Sequence, residues 1–195
     1  MASVCTTPTC PELCDDVMPS PKFRVCNPQF TFGQISDIYV TNIGNPLIDE
    51  TSPVEWAARL ALPANDPAKI IRLVVMAEKP DAEVPETEAS HGRKAYGLPK
   101  HMITGVIDEV SDENYDFMRA IRCGKTVLLW YKLLGGKAYG GATGVEATMK
   151  IGHAIPLSAQ ELETLPFTFS WQAQIDPCRF DHPLQGDDSD LESES

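Results

Sequence analysis

The clearest pattern in the chain is a strict alternation near its end. In LPFTFSWQAQID, Phe167, Phe169, Trp171, Ala173 and Ile175 alternate with Thr168, Ser170, Gln172, Gln174 and Asp176, the period-two signature of a strand with one buried and one polar face. Further back, AKIIRLVVMA (68–77) carries β-branched residues on both faces and predicts a central strand. GQISDIYVTN predicts a β-rich first strand and MITGVIDEV another. TVLLWYKLLGG and GVEATMKIGHAI flank the glycine-rich GGKAYGG, which predicts a long hairpin with a flexible tip.

Two segments have the helical period instead. In TSPVEWAARLAL, Ser52 suits the cap and Pro53 the first turn, Trp56 and Leu60 share a face, and Pro63 stops the run. SDENYDFMRAIRCG has Ser111 as cap, acidic Asp112, Glu113 and Asp116 at the positive end, and Gly124 to close it. A short helical turn is expected at SAQELE, where Glu161 follows Ser158 at capping-box spacing. Between the early strands, Glu78 to His101 holds three prolines and no period, which reads as a long structureless contact arm. The expected fold class is therefore mainly β (α+β): a β-sandwich or partly closed β-barrel with one principal flanking α-helix, a long inter-subunit loop and an extended N-terminal arm. Residues 1–29 form that arm, 30–184 the β-rich domain, and 185–195 an acidic disordered tail.

Composition refines this picture. With 195 residues, 43% of them hydrophobic, the chain can bury one substantial core. No apolar run approaches the roughly 20 residues of a spanning helix, so no membrane segment is expected, and the N-terminus lacks the features of a secretory signal. The formal net charge is −12, and the tail accounts for only five of the negatives. An acidic chain repels phosphate backbones and argues against tight nucleic-acid binding. Cys5, Cys10, Cys14 and Cys26 lie in the Pro-rich leader without a C-x-x-C pair, which reads as reduced thiols on an arm more readily than as zinc ligands or disulfides. Cys123 and Cys178 read as small packing residues.

Three stretches imitate chemistry. RCGKTVLL contains the Gly-Lys-Thr of a phosphate loop, but Arg119 stands where the first glycine belongs, and the segment leaves a helix to open a strand. GGKAYGGATG fails the dinucleotide pattern because a strand follows it. Asp176, Cys178, Arg179, Asp181 and His182 crowd into seven residues, yet neighbours in sequence seldom adopt a nucleophile–base geometry, and Pro177 and Pro183 mark a chain exit. His91, His101 and His153 are scattered. The expectation is no enzyme, no cofactor and no metal site.

The layout resembles a known family. The extended arm, the β-rich domain with one principal helix, the long loop, the glycine-tipped hairpin, and the segments FTFGQISDIYV and PFTFSWQAQIDPCRFDHPL are similar to those of bacteriophage tail tube (major tail) proteins, over about Phe30 to Leu184. The cysteine-bearing leader and acidic tail depart from that pattern and leave a related neck, terminator or tail-completion ring protein open. The resemblance implies homohexameric rings that stack into a hollow virion tail tube, assembled in the host cytoplasm, with tape measure or terminator proteins as further partners. Inter-subunit contacts then fall on Phe23, Phe30, Glu83, Glu86, Arg93, Lys94, Tyr96 and Arg179. Asp37, Glu146 and Asp176 are candidate lumen carboxylates that would repel passing DNA. The reading from another class is a β-sandwich ligand- or carbohydrate-binding module, with Trp130, Tyr131, Tyr139 and Trp171 stacking on sugars.

Overall fold

The computed structural model describes residues 33–158 and 160–184. The elements in chain order are β1 (Ile35–Asn42), α1 (Pro53–Leu60), β2 (Ile71–Glu78), β3 (Glu86–Ala89), β4 (Arg93–Tyr96) and β5 (Lys100–Ile107). They are followed by α2 (Asp112–Ile121), β6 (Lys125–Leu133), β7 (Lys137–Tyr139), β8 (Val145–Ile151), β9 (Leu165–Gln172) and β10 (Arg179–Asp181). Six strands pair in the order β1-β2-β5-β9-β8-β6, and β6 returns to β1, which closes an antiparallel barrel. Closure leaves these strands few free edges. β7 continues from the last residues of β6 and carries β10 on its far side.

Alternation along each strand fills the barrel. Leu165, Phe167, Phe169 and Trp171 of β9 point inward with Ala147, Met149 and Ile151 of β8, Val127, Leu129 and Tyr131 of β6, and Leu73, Val75 and Ala77 of β2. Burying side chains of this size contributes about 1.5–3 kcal/mol each. Ser36 is an extra residue in β1 against β6, where Ile35 faces Leu133 and Asp37 faces Lys132, whereas on the other side β2 carries the extra residue, with Ile35 facing Ala77 and Asp37 facing Val74. This bulge lets Ile35 and Ile38 both face the core while turning Asp37 and Tyr39 outward. α2 links the end of β5 to the start of β6 and drives Met118 and Ile121 into the same core, closing that end of the barrel.

A second, smaller core lies outside the barrel wall. Trp56 of α1 packs with Tyr39, Leu47, Ile70, Leu128 and Trp130, and Phe180 and Leu184 from the C-terminal segment cover them. Ser52 caps α1 by accepting from Glu55 N–H at 3.3 Å. Arg59 then ties the helix to its flanks, donating to the carbonyls of Asn45, Pro46 and Ala68 at 2.7–2.9 Å.

Several expectations are corrected. The 78–101 segment is not structureless: it contains the β3–β4 hairpin, turned by Ser90–Gly92 with His91 at φ 65° and Gly92 at φ 70°. β2 is central, paired with β1 on one side and β5 on the other, but only one of its faces is buried, since Val74 and Met76 point outward and are exposed. Ser158 makes only a turn, accepting from Gln160 N–H at 3.3 Å. β9 stops at Gln172, so the alternation to Ile175 overruns it. Nor is the glycine-rich connection a flexible tip. The Trp130 indole donates to Gly141 O at 2.6 Å, and a Cβ on Gly140 or Gly144 would stand 2.4 or 2.8 Å from the indole. These glycines are required because the chain wraps a buried tryptophan. Cys123 is exposed and free, and Cys178 is disulfide-bonded, so neither is a simple packing residue.

Candidate functional site

The barrel end opposite α2 is a mouth. β1, β5 and β8 begin there and β2, β6 and β9 end there, so side chains distant in sequence meet. His101 of β5 faces inward, its side chain 4% exposed, and stacks on Trp171 with ring centroids 5.3 Å apart. Its Nε2 donates to Ala173 O at 3.0 Å. Its Nδ1 has no hydrogen-bond partner and lies 3.6 Å from Asp176 Oδ1. Lys79, just past β2, reaches the same oxygen at 2.8 Å. Tyr131 and Tyr139 stack at 5.0 Å and line a cavity of about 280 Å³ together with Lys79 and Asp176. Burial, followed by the negative charge of Asp176 and the proximity of Tyr139, raises the Tyr131 phenol far above its ordinary range.

The outward surface of β5, β9, β8 and β6 is a second feature. Met102, Ser170, Thr148 and Thr126 lie in one cross-strand row, and Thr104, Thr168 and Lys150 in the next. β8 pairs with β9 only over Thr148–Ile151, so the strands part beyond it. The parting opens a polar cleft of about 550 Å³ lined by Lys100, Glu146, Thr148, Ser170 and Gln172 among others. Hydroxyls dominate this face, and two lysines stand against one glutamate.

The β3–β4 hairpin is the third. Glu86, Thr87 and Glu88 and the whole of β4 are exposed, with Lys94 paired to Glu86 at 2.6 Å. It is rooted by a bridge between Glu83 and Lys100. Apolar Val84, Tyr96 and Leu98 are also exposed, at 47%, 66% and 52%. Glu83, Glu86, Arg93, Lys94 and Tyr96 thus come together on one projecting element, whereas Arg179 sits on β10. Phe23 and Phe30, the four leader cysteines and the acidic tail lie outside the described residues.

The three carboxylates separate. Asp37 is 3% exposed and binds Arg72 at 2.7 Å and Lys132 at 3.6 Å. Burial alone would raise its pKa, but hydrogen bonds from Ser36 and Arg72 and the charges of Arg72 and Lys132 outweigh that and hold it below the usual range. Glu146 lies exposed on the hydroxyl face, and Asp176 guards the mouth.

The crowded 176–182 stretch disperses in space. Asp176 turns to Lys79, Cys178 is disulfide-bonded, Asp181 pairs with Lys137, and His182 is 1% exposed between Tyr39 and Trp56. Trp130, Tyr131 and Trp171 are buried, so the four aromatics make no shared exposed platform for a sugar. Among the described residues, no group of three or more His, Cys, Asp or Glu side chains is placed to hold a metal ion. No described helix is long and apolar enough to cross a membrane. No protein-family model and no curated protein matches the sequence.

Sequence reasoning missed the mouth because its members, at 79, 101, 131, 139 and 176, share no local pattern. The inward parity of His101, once β5 is extended back to Lys100, is the signal that could have found it.

Proposed function

We propose that this chain is a structural virion subunit of the bacteriophage tail tube type. Copies close into rings, hexameric in this reading, and the rings stack into a conduit for DNA. The observation that carries the proposal is the projecting β3–β4 hairpin. A two-stranded hairpin is marginal in water without a surface to pack on, and this one exposes Tyr96 and Leu98 with no described element over them. A neighbouring copy supplies that surface. Two different contacts are then needed, one that closes a ring by a heterologous rotation and one that stacks it.

The hydroxyl face of β5, β9, β8 and β6 suits the lumen. Its short Ser and Thr side chains and nearly balanced charges offer DNA no cluster of cations, and Glu146 is the one candidate lumen carboxylate on it. Assembly takes place in the host cytoplasm and the product resides in the virion tail.

Replacing Tyr96 and Leu98 together by serine tests the reading. Sedimentation velocity of the parent chain should show species much larger than a monomer, and the double variant should remain small while still melting cooperatively, at a midpoint no longer raised by assembly. A variant that assembles like the parent would remove the hairpin from the account.

A further inference from the structure

The barrel mouth has the chemistry of a receptor. Two stacked phenol rings, Tyr131 and Tyr139, form one side of its cavity, and aromatic faces attract cations. Asp176 supplies a carboxylate at the lip. His101 adds a further acceptor. Its Nε2 hydrogen is committed to Ala173 O, so in the neutral ring Nδ1 presents a lone pair with no donor, 3.6 Å from Asp176 Oδ1. Two acceptors so spaced can share one ammonium group, which carries three donors. The chain already places one cation at this carboxylate, because Lys79 Nζ lies 2.8 Å from Asp176 Oδ1.

We infer that the mouth is a binding site for a compact organic cation, with the Lys79 ammonium as a built-in ligand that an external alkylammonium ion can replace. A cavity of about 280 Å³ is at the lower limit of small-molecule sites and takes a short alkylammonium but not a nucleotide. The Lys79–Asp176 pair is partly exposed, so losing it costs little stability.

The test uses the full chain, Lys79→Ala, and Lys79→Ala combined with Asp176→Asn. Each is titrated with n-butylammonium chloride, and with n-butanol as the uncharged control, by NMR and calorimetry. An intramolecular ammonium competes at an effective concentration in the millimolar range, so Lys79→Ala should bind n-butylammonium about tenfold more tightly than the parent. The double variant should lose that gain, and butanol should bind none of the three. Equal binding by Lys79→Ala and the double variant, or butanol matching the amine, overturns the inference. Thermal melts establish that each variant is folded, and binding is read on the folded chain, so the outcome is independent of ring formation.

Discussion

His182 ties the C-terminal segment to the outer core, and protonating it should loosen that core. The ring stacks on Tyr39 at 4.8 Å, meets Trp56 at 4.7 Å, and is 1% exposed. Nδ1 accepts from Leu184 N–H at 3.3 Å, which leaves the ring hydrogen on Nε2, where it has no partner. Burial, with Lys132 nearby, pulls the pKa down from 6.5 to about 4. A folded-state value below the unfolded one means that the neutral ring is favoured by folding. Its contribution is therefore complete above about pH 6.5 and is lost as pH falls towards 4. At about 1.4 kcal/mol per pH unit the full loss is about 3 kcal/mol, of which about 2 kcal/mol falls between pH 7 and pH 5. Urea unfolding followed by tryptophan fluorescence measures it directly, with His182→Asn as comparison. The variant starts less stable at pH 7 because it loses the stacking, but it lacks this titration, so the two stability curves should converge by about 2 kcal/mol as pH falls to 5. Carboxylate titrations are common to both proteins and cancel in the difference. Parallel curves would refute the reasoning.

Four other outcomes follow from the packing. Gly140→Ala places a methyl 2.4 Å from Trp130 Cδ1 at φ 135°, so it should cost about 2 kcal/mol or more in urea unfolding. Gly152→Ala, whose nearest neighbour would be 3.6 Å away, should cost well under half of that in the same assay. Asp37→Asn withdraws the negative charge shared by Arg72 and Lys132 and should destabilise by about 3 kcal/mol, read as a lower thermal midpoint. Ser111→Ala removes the acceptor for Asn114 N–H at 3.2 Å, and calorimetry should record a loss of about 1 kcal/mol.

What the sequence revealed depended on whether one buried face dictated the pattern. β9 and α2 were legible because alternation in one and caps in the other are local, and both survive in the fold. The expected β-rich domain with one principal helix is present, and the barrel closes fully through β1 and β6, a pairing between strands far apart in the chain. β3 and β4 were invisible because they are four residues each and polar on both faces, so no apolar period marks them. The glycine cradle around Trp130 carried a turn signal locally, and only the fold reveals that an indole occupies the space. Asp37 read as a free carboxylate because the bulge at Ser36, which delivers it to Arg72, leaves no trace in composition. His182 was read as part of an apparent catalytic cluster, but the aromatic residues that enclose it come from β1 and α1.

Electron microscopy of the purified full chain over a range of concentrations tests the self-assembly claim most directly. Rings of one diameter that stack into hollow tubes as concentration rises are the predicted result. Separate single-copy particles at every concentration would contradict it.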